Sequence, residues 1–183
     1  DAVVCVATIK ALKYHGGMLI EDIKEENIDY LEKGIHNLLK HIDNLKNVFG
    51  LNVIVGINKY ITDTDKEIKY LKTKLEEKGV NISLVEAWAM GGKGALDLAG
   101  KIIDLCEDRS NFNYCYELED GIKEKTEKIA TKIYGAEGVE YNEESENIIN
   151  DLEEKGYGNM PVCIAKTQYS FSDDAKNLLC LEP

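Results

Sequence analysis

An α/β fold, with parallel strands and helices on both faces, is predicted by three features of the sequence. Short apolar runs of the strand kind, at residues 3–7, 51–57 and 80–84, are separated by stretches whose apolar residues recur at helical spacing. The first run is apolar throughout, as suits a strand covered on both faces. The order strand, helix, strand, helix from residue 51 to residue 105 requires parallel pairing with a right-handed crossover.

The elements follow in order. Val3, Val4, Cys5, Val6 and Ala7 form the first strand, and residues 8–17 leave it as a polar exit ending in His15-Gly16-Gly17. His15 reads either as a site residue or as a turn histidine. Residues 20–27 are acidic and polar and form a surface connection. Leu31, Ile35, Leu38, Ile42 and Leu45 then mark an amphipathic helix stopped by Gly50, with His36 and His41 off its apolar stripe and facing solvent. Leu51, Val53, Val55 and Ile57 alternate as a buried strand that ends at Asn58. After a polar loop, Thr64 and Glu67 supply a capping box for a helix carrying Ile68, Leu71 and Leu75, which Gly79 terminates. Val80, Ile82 and Leu84 make the next strand. It empties into residues 86–94, a loop holding Glu86, Trp88 and the run Gly91-Gly92-Lys93-Gly94.

A helix on Leu96, Leu98, Ile102, Ile103 and Leu105 comes next, and another runs through Leu118, Ile122, Ile129 and Ile133. Asn142 caps a further helix that Gly156 ends. Residues 161–165 read as a last strand that exits into the polar loop 166–174. There are no internal repeats and no low-complexity segments.

Bulk composition excludes several functions. The 183 residues include 34 acidic and 22 basic side chains, a net charge of -12, which argues against binding a phosphate backbone. No apolar run approaches the roughly 18 residues of a membrane span, and no leader-like segment opens the chain, so a soluble, cytoplasmic protein is expected. Cysteines 5, 106, 115, 163 and 180 show no CxxC pair, and Cys5 and Cys163 lie in apolar runs. Buried, reduced thiols and no metal site are expected.

Parallel sheets bind ligands at the carboxyl ends of their strands. Tyr60 and Trp88 follow two such ends, where two aromatic rings can sandwich a flat heterocycle, although aromatics there also serve as core. Glu86 either accepts hydrogen bonds from such a ligand or faces water. Asn58-Lys59 after a buried strand is similar to a purine-reading loop, but the acid that a guanine reader places at the fourth position is here Ile61, and the acid comes only at Asp63. No GxxxxGK[ST] phosphate loop occurs. The Gly91-Gly92 turn reads as either a nucleotide border or a close-packed helix start.

The segments DAVVCVATIKALKYHGG, VGINKYITDTDKEI, EAWAMGGKGALDLA, KEKTEKIATKIYGAEGVEY and GYGNMPVCIAKTQYSFSDD together resemble formate-tetrahydrofolate ligase over nearly the whole chain. That resemblance implies an ATP-dependent ligase, with Mg2+, joining formate to tetrahydrofolate through formyl phosphate to give 10-formyltetrahydrofolate. It implies part of a longer, multidomain P-loop-type synthetase that is a homo-oligomer. Residues 1–50 would be the tail of a nucleotide-binding domain, 51–133 a small α/β domain, and 134–183 the start of a third. By the same resemblance Tyr60, where the family often has Phe, and Trp88 flank the folate, and Leu84 lies beside the pterin. Asn58, Gly91 and Gly92 border the nucleotide. The loop 166–170 matches closely but takes no assigned role, and no catalytic residue is assigned. The other readings are a GTPase-like nucleotide-binding module and a non-catalytic acidic interaction domain.

Overall fold

A computed structural model describes residues 1–165, 171–172 and 176–179. Three strands form its sheet: β1 (Ala2–Ala7), β2 (Asn52–Asn58) and β3 (Asn81–Val85), in the spatial order β1-β2-β3 and all parallel. The register sets Cys5 opposite Val55, and Ile57 opposite both Ala7 and Leu84. All three strands therefore end along one edge.

Helices cover both faces. On one face α2 (Ile28–Asp43) and α3 (Asp65–Glu77) close over Val55 and Ile57, and the core there gathers Leu31, Ile35, Leu38, Leu71 and Leu75. On the other face α5 (Leu96–Glu107) packs over Gly56, whose missing side chain leaves room for Val4, Val85 and Leu98. Ser83 Oγ donates to Asp97 Oδ2 at 2.6 Å and Lys101 reaches Ile82 O at 2.9 Å, which pins α5 to β3. The capping box of α3 is formed as the sequence indicates: Glu67 N–H donates to Thr64 Oγ1 and Thr64 N–H to Glu67 Oε2.

The exit of β1 is helical rather than a plain polar loop. Thr8 Oγ1 accepts from Ala11 N–H and starts α1 (Ile9–His15), placing His15 in its last turn. The burial of His15 lowers its pKa from the ordinary value, favouring the neutral imidazole. Helices α1 and α2 touch backbone to backbone. A Cβ on Gly34 would overlap the carbonyl of Leu12, and one on Gly16 the carbonyl of Tyr30. His36 and His41 do face solvent, with the His41 ring 4.5 Å from that of Phe171.

After α5 the chain returns through α6 (Ile122–Ile129), which continues as a π-helical turn, Ala130–Tyr134, and then through α7 (Glu143–Glu154). Leu118 lies ahead of α6, not within it. Residues 161–165 are not a strand. Pro161 has no N–H, no neighbouring strand is present among the described residues, and the main chain of Val162 instead exchanges two hydrogen bonds with the Tyr116 hydroxyl. Cys163 is accordingly exposed rather than buried, as is Cys106, while Cys115 is buried and Cys5 half-buried. The loop 166–170 and Cys180 lie outside the described residues. Among the described residues no helix is long and apolar enough to cross a membrane.

Candidate functional site

Strand β2 carries the chain out at Asn58, and the loop turns at once. Tyr60 N–H donates to Asp63 Oδ2 at 2.8 Å, and Asp63 N–H returns to Tyr60 O at 3.0 Å. Asp63 is thus committed to closing its own turn. Its desolvation raises the carboxyl above its ordinary pKa; the Tyr60 amide and the charges of Lys10 and Lys13 pull the other way, and Glu67 adds to the rise. A guanine-reading role for Asp63 loses its carboxylate to this turn.

Strand β3 leaves at Val85. Glu86 N–H donates to Gly94 O at 3.0 Å, closing the second loop around the short helix α4 (Ala87–Met90). Gly94 is the glycine that this closure needs, because a Cβ there would lie 2.5 Å from the Glu86 carbonyl. Gly91 adopts φ 60° and ψ -146°, a region that side chains disfavour. Gly91 and Gly92 are both exposed, with nothing within 4 Å of a built Cβ.

The two loops are tied together. Lys59 N–H donates to Val85 O at 3.0 Å, and Lys59 Nζ meets Glu86 Oε1 at 3.0 Å. Glu86 thus has a protein partner for Oε1 while its side chain stays 36% exposed. Between the loops lies a cavity of about 290 Å³ lined by Asn58, Lys59, Tyr60, Ile61 and Trp88. It sits just below the usual ligand-pocket range of about 300 to 1,000 Å³, a size suited to one flat ring system. Trp88 is 84% exposed and Tyr60 44%. A core aromatic would be enclosed; these rings are held out at the strand ends.

The structure brings Asn58, Tyr60 and Trp88 together but not the other expected site residues. Leu84 faces the helical core beside Ile57 and does not line this cavity, and neither do Gly91 and Gly92. Sequence reasoning missed two lysines. Lys59 pairs across the loops, and Lys10 on α1 sets its ammonium 4.6 Å from the centroid of the Tyr60 ring. Complementary charges at neighbouring strand exits were a signal for the first; the second joins residues 50 positions apart and left none.

The cavity presents a ring from Trp88, another from Tyr60 and an amide at Asn58, groups of the kind that meet a flat, partly polar heterocycle. No group of three or more His, Cys, Asp or Glu side chains that could hold a metal ion occurs among the described residues.

Comparison with known proteins identifies the family of the chain. The family model described as formate-tetrahydrofolate ligase matches residues 1–180. The formate-tetrahydrofolate ligase of Symbiobacterium thermophilum is 46% identical over 178 residues, which is 97% of this chain and 32% of that protein. The chain spans about a third of the length of that curated relative. With the match running through both strand-exit loops and almost from end to end, the chain belongs to the formate-tetrahydrofolate ligase family.

Proposed function

We propose that this chain supplies the pterin-binding wall, and part of the nucleotide surroundings, of an ATP-dependent ligase that joins formate to tetrahydrofolate through formyl phosphate, giving 10-formyltetrahydrofolate. The observation that carries the reading is the pair of outward-held rings, Trp88 and Tyr60, lining one cavity at the carboxyl edge of the parallel sheet. Stacking on these rings orients the pterin, and Asn58 offers an amide to a ring edge. Leu84, Gly91 and Gly92 enter only as a more distant border, Leu84 on the pterin side and the glycines on the nucleotide side.

Phosphoryl transfer needs a phosphate cradle and a bound cation to neutralise charge. Those parts, with Mg2+, belong to the remainder of the longer polypeptide, so the 183-residue chain alone is inactive in this reading. The longer protein is cytoplasmic and homo-oligomeric in the same reading, divided near residues 50 and 133. Because β1 is laddered to β2, a proteolytic cut near residue 50 is expected to leave the two halves associated.

Titration of the full-length ligase with tetrahydrofolate and, separately, with ATP tests the assignment through Tyr60→Ala. The folate constant is expected to weaken several-fold while the ATP constant stays put. Equal loss for both ligands, or for neither, would remove the basis for a pterin wall at Tyr60.

A further inference from the structure

The described ion pairs include one in which both partners are enclosed. Lys13 on α1 and Glu67 on α3 are 1% and 0% exposed, and Lys13 Nζ lies 2.8 Å from Glu67 Oε1. The same ammonium donates to Glu25 O at 2.6 Å. Glu67 Oε1 also accepts Asn27 N–H at 3.1 Å, and Oε2 accepts Thr64 N–H at 3.1 Å and the Thr64 hydroxyl at 3.3 Å. One carboxylate thus gathers α1, the entry to α2 and the start of α3.

Such a pair is a poor device for stability alone, since apolar side chains of similar volume often hold a fold as well. Its distinctive property is direction. A carboxylate that satisfies four donors has few alternative placements, and the donors are fixed with it. Thr64 directly follows Asp63, whose carboxylate holds the Tyr60 amide. Lys10 stands three residues before Lys13, on the same side of α1, and its ammonium lies over the Tyr60 ring. Two independent connections therefore run from α1 to the turn bearing Tyr60, one through Glu67 and one through the ring.

We propose that Lys13 and Glu67 are positioning residues for the pterin wall. Their ion pair sets the height of the 60–64 turn against α1, so that Lys10 fills one face of the Tyr60 ring and the opposite face alone is presented to ligand. Tyr60 is then a one-sided platform, with the cation on its back drawn to the ring's negative face. This rests on the pterin reading given above and adds what makes Tyr60 selective for one stacking geometry.

The test uses the full-length ligase with four changes: the paired apolar exchange Lys13→Met with Glu67→Leu, the single Glu67→Gln, Lys10→Met and Tyr60→Ala. Urea midpoints, kcat, and KM for tetrahydrofolate and for ATP are measured for each. The paired exchange is expected to lower the midpoint, because leucine leaves the Asn27 and Thr64 amides without their acceptor, yet to keep the ATP KM and to raise the tetrahydrofolate KM roughly five- to tenfold, the scale of coupling between contacting residues. In that background Lys10→Met should have no further effect on the tetrahydrofolate KM, although alone it raises it. If the paired exchange folds poorly, Glu67→Gln, which keeps the side chain's shape, is expected to show the same split between the two KM values. An unchanged tetrahydrofolate KM in the folded variants, or an undiminished Lys10→Met effect in the exchanged background, overturns the positioning role. Tyr60→Ala separates the two levels of inference. If it too leaves the tetrahydrofolate KM alone, the pterin reading itself falls and the positioning role with it; if it raises that KM while the Lys13 and Glu67 changes do not, only the positioning role falls.

Discussion

Replacing Trp88 by alanine gives the sharpest test of the pterin wall, because the structure makes opposite predictions for binding and for stability. The ring is 84% exposed, so its removal leaves no cavity and breaks no core contact. The unfolding free energy should change by no more than about 0.5 kcal/mol, as for surface substitutions generally. The ligand term is larger. A tryptophan buries about 150 to 250 Å² in all, so one ring face covered by a heterocycle is on the order of 70 Å². At about 25 cal/mol per Å² that face contributes about 1.7 kcal/mol. Stacking geometry adds about 0.5 to 1.5 kcal/mol. The loss of about 2 to 3 kcal/mol corresponds to roughly 30- to 150-fold in tetrahydrofolate affinity. Paired titrations of the full-length protein, with tetrahydrofolate and with ATP, alongside urea unfolding, provide the assay. Within these 183 residues Trp88 is the one tryptophan, so the emission of the 183-residue chain reports stacking on it directly. A variant that binds tetrahydrofolate normally while losing several kcal/mol of stability would refute the reasoning at its first step.

Other consequences follow from the loops and the buried groups. Gly94→Ala should destabilise by about 1 to 3 kcal/mol through overlap with the Glu86 backbone, whereas Gly92→Ala, with open space around it, should leave the urea midpoint unchanged. The pKa of Glu67 is lowered: burial pushes it up, but the Lys13 ammonium and the Asn27 and Thr64 amides outweigh that. Its contribution is therefore present above the ordinary carboxylate range and lost as pH falls through the folded pKa, and the gap in urea stability between wild type and Glu67→Gln should narrow in acid. Asp63 has the opposite sign, since its pKa is raised and its ionisation opposes folding as pH rises. Asp63→Asn should consequently gain stability relative to wild type on going from below the carboxylate range to pH 7, and a gain that shrinks instead would contradict the assignment. Brief alkylation at neutral pH, read by peptide mass, should label exposed Cys106 and Cys163 ahead of Cys5 and Cys115, whose thiols burial pushes up.

What could be read in advance follows the range of the interactions. Strands β2 and β3 and helix α3 were legible because alternation, a capping box and Gly79 are all signals within a few residues of one another. The outward aromatics were legible for a related reason: position after a strand locates a side chain on the functional edge without knowledge of its neighbours. Helix α1 was not. Its buried face includes Lys13, which reads as polar until Glu67, 54 residues away, is seen to receive it. Residues 161–165 failed in the other direction, since an apolar run becomes a strand only beside a partner, and pairing leaves no local trace. The ring contact of Lys10 with Tyr60 is likewise a product of how the strands align, whereas the Lys59 and Glu86 pair had only the weak signal of opposite charges at two strand exits. Leu84, placed beside the pterin by the resemblance and not by any local pattern, packs against the helical core.

The contact between Gly34 and the Leu12 carbonyl has an evolutionary consequence. Position 34 carries no reactive group, yet every other amino acid there would demand space already held by main chain. A lineage could change it only by first drawing α1 away from α2, and α1 bears the lysines that reach Tyr60 and Glu67. If Tyr60 serves as the proposed pterin wall, selection on it extends back to this glycine, and a saturation library is expected to find Gly34 intolerant of every other residue.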